Sequence, residues 1–484
     1  HAPDIAVITP FFEGDELVAF SASMAHKSDI GGPVPGSCSG EAREIFNEGL
    51  HLPAVRIARR DGEVSEVARI IAANSRTPEL VLGDIRGQTG STRLGVRRLT
   101  ELTAKFGLDQ VARHFQEVLS MSESSLHRCI AAWPDGTAAA QRRLDGDTVD
   151  GGSRLRVHVE VRKRGDSIVF DFSRSGDQAR GPANIRPPLL RAACGYCLIS
   201  LIDTDIEINS GLLDAFELIA RRGSIVDPAF PAPVNTYNPT VHAAVDALFD
   251  AMSQIITFSG RGDGCASRSL IIGGSIPGGD GAFVQYEIFG GGAGACAWHD
   301  GVSGTTVNQT NGRITPVEIV EGEYPVRVRR FELIPDSGGP GRHRGGLGIR
   351  REYESLSAAQ LALRSTRHEV APHGVGGGHD GATGRLTIHP GTGKEEVLPP
   401  RIAGYALAPG DVLRLDTPGG GGYGTPLDRP PQEVLRDVIE GYVTRAAAQS
   451  AYGVVIADSD QGLRVDRTAT ARERERRRGR ARRS

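Results

Sequence analysis

The chain has 484 residues, of which 39% are hydrophobic and 24% are charged, and this length predicts two or three packed units. The composition is typical of a soluble globular protein, and no run of about 18 apolar residues indicates a membrane-spanning helix. The formal net charge is −3, and the acidic body left beside an arginine-rich end, residues 471–484, does not indicate a nucleic acid partner.

The cysteines are too widely spaced for the disulfide framework of a small secreted protein. We therefore expect reduced thiols and a cytoplasmic location. Cys194 and Cys197 have the spacing of a redox or zinc motif, but they stand in an apolar helical run, which favours buried core thiols.

The N-terminal region is predicted to begin with a β-hairpin, residues 4–12 and 16–25. Gly14 suits the first central position of a two-residue type II′ turn. Both strands are apolar on both faces over much of their length, so a buried hairpin is expected. Apolar residues at helical spacing predict helices over 41–50, 63–77 and 94–132, with a break at Phe106 and Gly107.

The central region contains the clearest strand pair, because residues 155–161 and 168–172 alternate apolar and polar side chains. Helices are predicted over 187–203 and 239–257, and a glycine-dense stretch, 259–304, follows. From about Val326 the pattern is mostly β, before two helices at 431–441 and 444–452.

Together these elements predict an α+β, multi-domain fold. The expected units are a buried hairpin with helices (1–150), a mixed α/β substrate region (151–325), a β-rich region with glycine loops (326–430), a helical pair (431–455) and a basic, disordered tail (456–484).

The hairpin also suggests a metal site. Pairing Glu13 with Glu16 places His26 opposite Pro3, with His1 two residues away on the same face. An ideal pleat turns Asp4 to the other face, unless the proline bends the strand entry. Two imidazoles and a carboxylate are a plausible metal-binding set; the alternative is a surface histidine beside a turn-forming aspartate.

Seven segments resemble the hydantoinase B/oxoprolinase family in the same order along the chain. They read HAPDIAVITPFF, AHKSDIGGPVPGS, EIFNEGLHLPAVRI, DFSRSGDQARGPAN, TNGRITPVE, PDSGGPGRHRGGLGI and TPGGGGYG. The family includes ATP-dependent N-methylhydantoinases, 5-oxoprolinases and caprolactamases, and it is related to acetone and acetophenone carboxylase subunits.

The resemblance implies that His1, Asp4 and His26 bind a divalent metal, with zinc expected first and manganese or iron as alternatives. It also implies a further acidic ligand upstream of His1. Many family members have a second histidine where this chain has Lys27, and a lysine there is expected to contact substrate or phosphate instead.

The implied function is the hydrolase half of an ATP-dependent cyclic-amide hydrolase acting on a hydantoin, 5-oxoproline or a lactam. A hydantoinase A-type partner, within a hetero-oligomer, uses ATP to phosphorylate the amide oxygen. Metal-bound water then attacks the activated ring on this subunit. The chain has neither a Walker loop nor a strand–GxGxxG–helix unit, so ATP is expected on the partner. The alternatives are a ketone carboxylase subunit and a non-catalytic structural subunit.

Further site candidates come from the same segments. Asp29 is predicted to be catalytic, either orienting a ligand histidine or accepting a proton; the alternative is a turn aspartate. Asn311 and Arg313 are predicted to bind substrate, although a β-bulge with a salt bridge would explain the same residues. The glycine stretch 289–301 fits either an oxyanion site or structural turns.

Overall fold

The computed structural model describes residues 1–60, 62–146, 149, 155–257, 260–266, 268–308, 312–460 and 462–481. Its strands are β1 (Asp4–Glu13), β2 (Glu16–His26), β3 (Ala58–Arg59), β4 (Gly62–Glu63), β5 (Gly136–Arg143), β6 (Arg156–Arg164), β7 (Ser167–Asp171), β8 (Glu217–Ile219), β9 (Arg268–Ser275), β10 (Ala282–Phe289), β11 (Val326–Leu333), β12 (Ile349–Ser355), β13 (Ala359–Arg364), β14 (Arg385–Ile388), β15 (Glu396–Leu398), β16 (Arg401–Leu407), β17 (Val412–Asp416), β18 (Ile456–Ser459) and β19 (Gly462–Val465). Its α-helices are α1 (Ser65–Ala73), α2 (Pro78–Phe106), α3 (Leu108–Ala131), α4 (Pro187–Ile199), α5 (Ser210–Asp214), α6 (Asn238–Ser253), α7 (Val317–Glu323), α8 (Pro431–Ile439), α9 (Arg445–Ser450) and α10 (Arg467–Ala481).

The predicted N-terminal hairpin is present as β1 and β2, and its turn places Gly14 at a φ of 60°. Val7 and Phe11 are buried on the face that packs against α2. The opposite face exposes large apolar side chains, namely Ile8, Phe12, Phe20 and Met24. The expectation of a buried hairpin is therefore wrong for one face, because α2 covers only one side of the two strands.

The N-terminal helices differ from the sequence prediction mainly in their boundaries. The predicted break at Gly107 is confirmed, since its φ of 81° separates α2 from α3. Residues 41–50 were expected to be helical but form only a 3₁₀ turn, Ile45–Glu48. There the Glu48 carboxylate accepts main-chain N–H groups of Val234 and Asn235, so contacts distant in sequence override the local helical pattern.

The central layer is the sheet β5-β6-β7-β8, in which only the β7–β8 pairing is parallel. The strand pair predicted over 155–172 is confirmed by β6 and β7. Val157, Val159 and Phe170 are fully buried in a core shared with α4 and α6. The alternation of the strands thus matches a sheet covered on one face by helices.

Two further antiparallel sheets, ordered β10-β9-β13-β16 and β11-β12-β17-β14-β15, contribute to a single apolar core. Leu363 from the first sheet and Leu415 from the second are both fully buried there. The other face of the first sheet packs against Val34 and Cys38. The segment that follows β2 therefore runs along this sheet, which brings the end of the hairpin beside β10 and β13.

The glycine-rich loops pack main chain against main chain. Gly346 N–H donates to Ala293 O and Gly420 N–H donates to Gly346 O, each at 2.9 Å. A Cβ added to Gly420 would lie 1.9 Å from Ala293 O, a distance that a real side chain cannot occupy. Within the described chain the stretch 289–301 therefore serves this packing, which favours the structural interpretation over an oxyanion site.

The C-terminal helical pair is confirmed by α8 and α9. The predicted disorder of 456–484 is wrong for its described part, which forms the β18–β19 hairpin and α10. Arg474 of α10 donates to the carbonyls of Tyr452 and Arg429, and Arg478 pairs with Asp428. These bonds attach α10 to the rest of the protein, although Arg478 itself remains exposed.

The mixed α/β, multi-domain fold class is confirmed. The individual domain boundaries stay predictions, and the one placed at residue 150 falls among residues outside the described set. Across the described ranges, none of the helices is long and apolar enough to cross a membrane.

Candidate metal centre

The side chains of His1, Asp4 and His26 converge at the open end of the hairpin. His1 Nδ1 lies 2.8 Å from Asp4 Oδ2, and His1 Nε2 lies 3.1 Å from His26 Nε2. One ligand atom from each of the three residues lies within 4.8 Å of the others. The predicted metal-binding residues are thus close enough to act on one ion.

The strand register that produces this cluster differs from the predicted one. A β-bulge between Phe11 and Phe12 shifts the pairing, so Asp4 rather than Pro3 lies opposite His26. Cross-strand partners share a face of the sheet. The bulge therefore brings Asp4 to the His26 face directly, without the strand bend at Pro3 that the predicted register required.

The donor set fits a divalent transition metal. Imidazole nitrogen and carboxylate oxygen suit zinc, manganese and iron. Tetrahedral nitrogen ligands around zinc stand about 3.3 Å apart, as follows from bond lengths of about 2.0 Å, and the Nε2 atoms of the two histidines are 3.1 Å apart. Since an ionised carboxylate only accepts, His1 Nδ1–H donates to Asp4 and leaves its Nε2 lone pair facing His26.

The two imidazoles are held between aromatic side chains. The His1 ring lies 5.1 Å from the ring of Tyr237, just before α6, and the His26 ring lies 5.4 Å from that of Tyr286 on β10. Burial, with a smaller effect from the Arg364 cation, lowers the pKa of His26 to about 4. His26 is therefore neutral near pH 7, as a metal ligand must be.

The surroundings of Asp29 favour the turn alternative, and its predicted catalytic role stays a prediction. Its Oδ1 accepts the N–H groups of Gly31 and Arg76, and its Oδ2 accepts the Gly36 N–H and the Arg76 guanidinium, all at 2.8 to 3.0 Å. A carboxylate has about four acceptor sites, and these four donors fill them. Asp29 therefore fixes the turn after β2, which was the alternative interpretation.

The predicted substrate contact of Lys27 also stays a prediction, and the structure shows where its side chain lies. It is fully buried, and its Nζ donates to Gln88 Oε1 of α2 at 2.6 Å and to Ala25 O at 3.3 Å. Burial lowers the pKa of this amine. Its neighbour His26 points to the candidate metal centre, whereas Lys27 points between the hairpin and α2.

The remaining predicted substrate contacts are not tested. Asn311 lies outside the described residues, and Arg313 is exposed in the loop before α7. Both stay predictions.

The structure adds residues that were not predicted from the sequence, namely Tyr237, Tyr286, Arg364, Asn235 and Glu48. They come from four separate stretches of the chain and approach His1 and His26 only in the folded structure, where the segment after β2 packs on the sheet that contains β10 and β13. The sequence offers a single signal for these residues, which is a charged residue at the end of an apolar strand, namely Arg364 at the end of β13.

These features define a class of multi-domain α/β protein in which two histidines and a carboxylate form a half-buried candidate metal site. Residues 1–426 match the model of the hydantoinase B/oxoprolinase family. The chain belongs to this family, so the predicted resemblance is confirmed.

Three comparisons illustrate the family relation. A Pseudomonas sp. (strain NS671) protein named as the B component of a D-/L-hydantoinase is 33% identical, over 95% of this chain and 80% of the relative. The crystal structure of an ATP-dependent caprolactamase from Pseudomonas jessenii is 27% identical with a TM-score of 0.86, and the match covers 98% of this chain and 83% of that one. A nucleotide-free acetone carboxylase structure, 21% identical, shares the fold with a TM-score of 0.89 over 100% of this chain and 71% of that one.

Proposed function

We propose that this chain is the metal-dependent hydrolase subunit of an ATP-dependent cyclic-amide hydrolase. The observation that carries the proposal is the convergence of His1, Asp4 and His26 within 4.8 Å of one another. The family membership and the relatives named as a hydantoinase component and a caprolactamase support the choice of cyclic amides as substrates.

The residues of this chain have distinct tasks in the proposal. His1, Asp4 and His26 would together hold the cation, and the contact of Asp4 with His1 Nδ1 would favour the tautomer that leaves His1 Nε2 free to bind. Tyr237 and Tyr286 pack against the two rings and limit their rotation. The site is therefore preorganised before substrate arrives.

A divalent cation bound here, zinc first and manganese or iron as alternatives, supplies Lewis acidity that lowers the pKa of water toward roughly 7. An amide is a poor electrophile, so the ring opens more readily once its amide oxygen has been phosphorylated. We assign that ATP-using step to a hydantoinase A-type partner in a cytoplasmic hetero-oligomer.

The test replaces His26 with alanine in the full-length protein, purified with its ATP-using partner. The loss of a metal ligand should weaken metal binding at least as much as the loss of a residue that only supports a ligand. We therefore expect the metal content of the variant to fall roughly tenfold or more at the same concentration of free metal. ATP-dependent ring opening of 5-oxoproline and caprolactam is expected to fall with it. Elemental analysis and product chromatography measure the two effects.

His114→Ala is the matched control, because His114 pairs with Glu117 on the exposed surface of α3. This variant should retain both metal and activity. Full metal content and full ring opening in His26→Ala would refute the proposal. Consumption of a ketone and bicarbonate, with no ring opening by the wild-type complex, would assign the chain to the carboxylase branch instead.

A further inference from the structure

The guanidinium of Arg364 at the end of β13 is buried beside the candidate metal centre and is only 4% exposed. Its Nη1 donates to the carbonyl and the side-chain oxygen of Asn235, both at 2.8 Å. Its Nη2 donates to Ser269 Oγ at 3.2 Å and to the Tyr286 hydroxyl. Every one of these acceptors is electrically neutral.

The positive charge of Arg364 has no counterion among the described residues, where no carboxylate lies within 4.0 Å of it. Its Nε atom is buried and has no hydrogen-bond partner. Arg367, three residues later and equally buried, contrasts with it by pairing with Asp246 and Asp263. A buried cation without a counterion is costly, so its presence calls for an anion that binds from outside the chain.

Glu48 is an acidic neighbour of Arg364, and Asn235 lies between them. The Asn235 N–H donates to Glu48 Oε1 while its oxygens accept from Arg364, and Glu48 Oε2 is buried with no partner. Burial raises the pKa of Glu48 to about 7. Glu48 is thus only partly ionised near neutral pH and cancels the charge of Arg364 only in part.

The side chain of Tyr286 contacts both the guanidinium of Arg364 and the ring of His26. The phenol that accepts from Arg364 belongs to the ring lying 5.4 Å from the His26 ring. A negatively charged group next to His26 would therefore interact favourably with Arg364.

We propose that Arg364 and Tyr286 form an anion-recognition subsite beside His26, which selects cyclic amides that carry a negative charge near the reacting ring. Two groups have this chemistry: the phosphoryl group added on activation, and a carboxylate carried by the ring itself. The inference rests on the proposed function for the identity of the ring. The binding of an anion by these residues does not depend on it.

The experiment titrates the full-length protein with inorganic phosphate and, separately, with 5-oxoproline as a carboxylate probe, using calorimetry at constant ionic strength. Arg364→Met removes the charge and keeps most of the volume, and we expect it to weaken binding about tenfold or more, as for a lost charge-assisted hydrogen bond. Tyr286→Phe keeps the ring and removes the hydroxyl, and it decides the question if the methionine variant does not fold. Arg98→Met is the matched control, because it removes an exposed guanidinium of α2 that pairs with Glu101 and leaves the subsite intact.

If Arg364→Met and Tyr286→Phe lose only phosphate binding, the phosphoryl group is the ligand of the subsite. If they lose only 5-oxoproline binding, the carboxylate is the ligand. Loss of both shows one subsite that takes either. The inference is overturned if the wild type binds neither probe, or if Arg364→Met and Tyr286→Phe bind both probes as well as Arg98→Met does. His26→Ala should keep its phosphate binding, so failure of the metal proposal and failure of this one are distinguishable.

Discussion

Asp29 and Glu48 are both fully buried acidic residues, but their partners differ. Asp29 receives four donors, one of them the Arg76 cation. Glu48 receives two main-chain N–H groups on one oxygen and none on the other. Burial therefore raises the pKa of Glu48 to about 7. Near neutral pH the carboxyl is thus only partly ionised in the folded protein.

Glu48→Gln is expected to change how stability depends on pH. The carboxyl has a pKa of about 7 when folded, against an ordinary value of 4.5, so between these values the folded protein retains a proton that the unfolded chain releases. The resulting stabilisation is fully present below pH 4.5 and is lost as pH rises through 7, an effect of up to about 3 kcal/mol. The glutamine amide does not ionise, so the variant should gain stability relative to wild type between pH 5 and pH 8.

Urea unfolding at pH 5 and pH 8 measures this difference. Glu440→Gln, at an exposed position after α8, should show the pH dependence of the wild type. An identical pH dependence in Glu48→Gln and wild type would contradict the assigned cause.

At the scale of elements, the hairpin is attached to α2 by the side chain of Gln88. Its Nε2 donates to the carbonyls of Ile5 at 3.0 Å and Ser23 at 2.9 Å, one from each strand, and its Oε1 accepts from Lys27. These bonds satisfy buried groups on both strands. Gln88 therefore fixes the position of the strand ends that carry His1, Asp4 and His26.

Gln88→Leu is expected to lower the free energy of unfolding by about 2–3 kcal/mol, because it leaves a buried ammonium without its amide acceptor. Metal affinity should also fall, since the strand ends lose their support. Thermal unfolding and metal titration measure the two effects. Arg98→Ala on the same helix is the control, as Arg98 and its partner Glu101 are both exposed, and a Gln88→Leu protein as stable as this control would argue against the docking role.

At the scale of the whole molecule, the glycine loops join distant parts of the chain. Gly420 approaches Ala293 and Gly346, while Gly421 N–H donates to Asp263 O and Gly421 O accepts from the Ala295 N–H. Their main chains are so close that no Cβ fits. The unusual glycine content, 63 residues, is therefore explained in part by this packing.

Gly420→Ala is expected to destabilise the protein by about 3 kcal/mol or more, because the added methyl group overlaps the Ala293 carbonyl and the main chain must move. Gly393→Ala is the matched control, since a Cβ there meets nothing within 4 Å. The melting temperatures of the two variants measure the effect. Equal melting temperatures would show that the loops are not packed as described.

Much of the candidate site followed from sequence motifs, because His1, Asp4 and His26 stand in the segments that resemble the family. Their convergence also depends on local geometry, and the predicted pairing was wrong by one residue. The extra residue of the bulge near Phe11 and Phe12 leaves no clear signal in an apolar strand. A shift of one position moves a side chain to the other face, so register alone decides whether Asp4 joins the cluster.

The sequence by itself determined the elements with strong periodicity, such as β6, β7 and α6, and the order of the family motifs, because local spacing encodes both. Only the tertiary structure decided that Asp29 is occupied by Arg76, that Lys27 points into α2, and that Arg364 stands behind His26. These facts depend on contacts between residues distant in the chain. The physical reason is that burial and charge pairing depend on which residues surround a side chain in the folded protein. Composition and sequence spacing do not specify those residues.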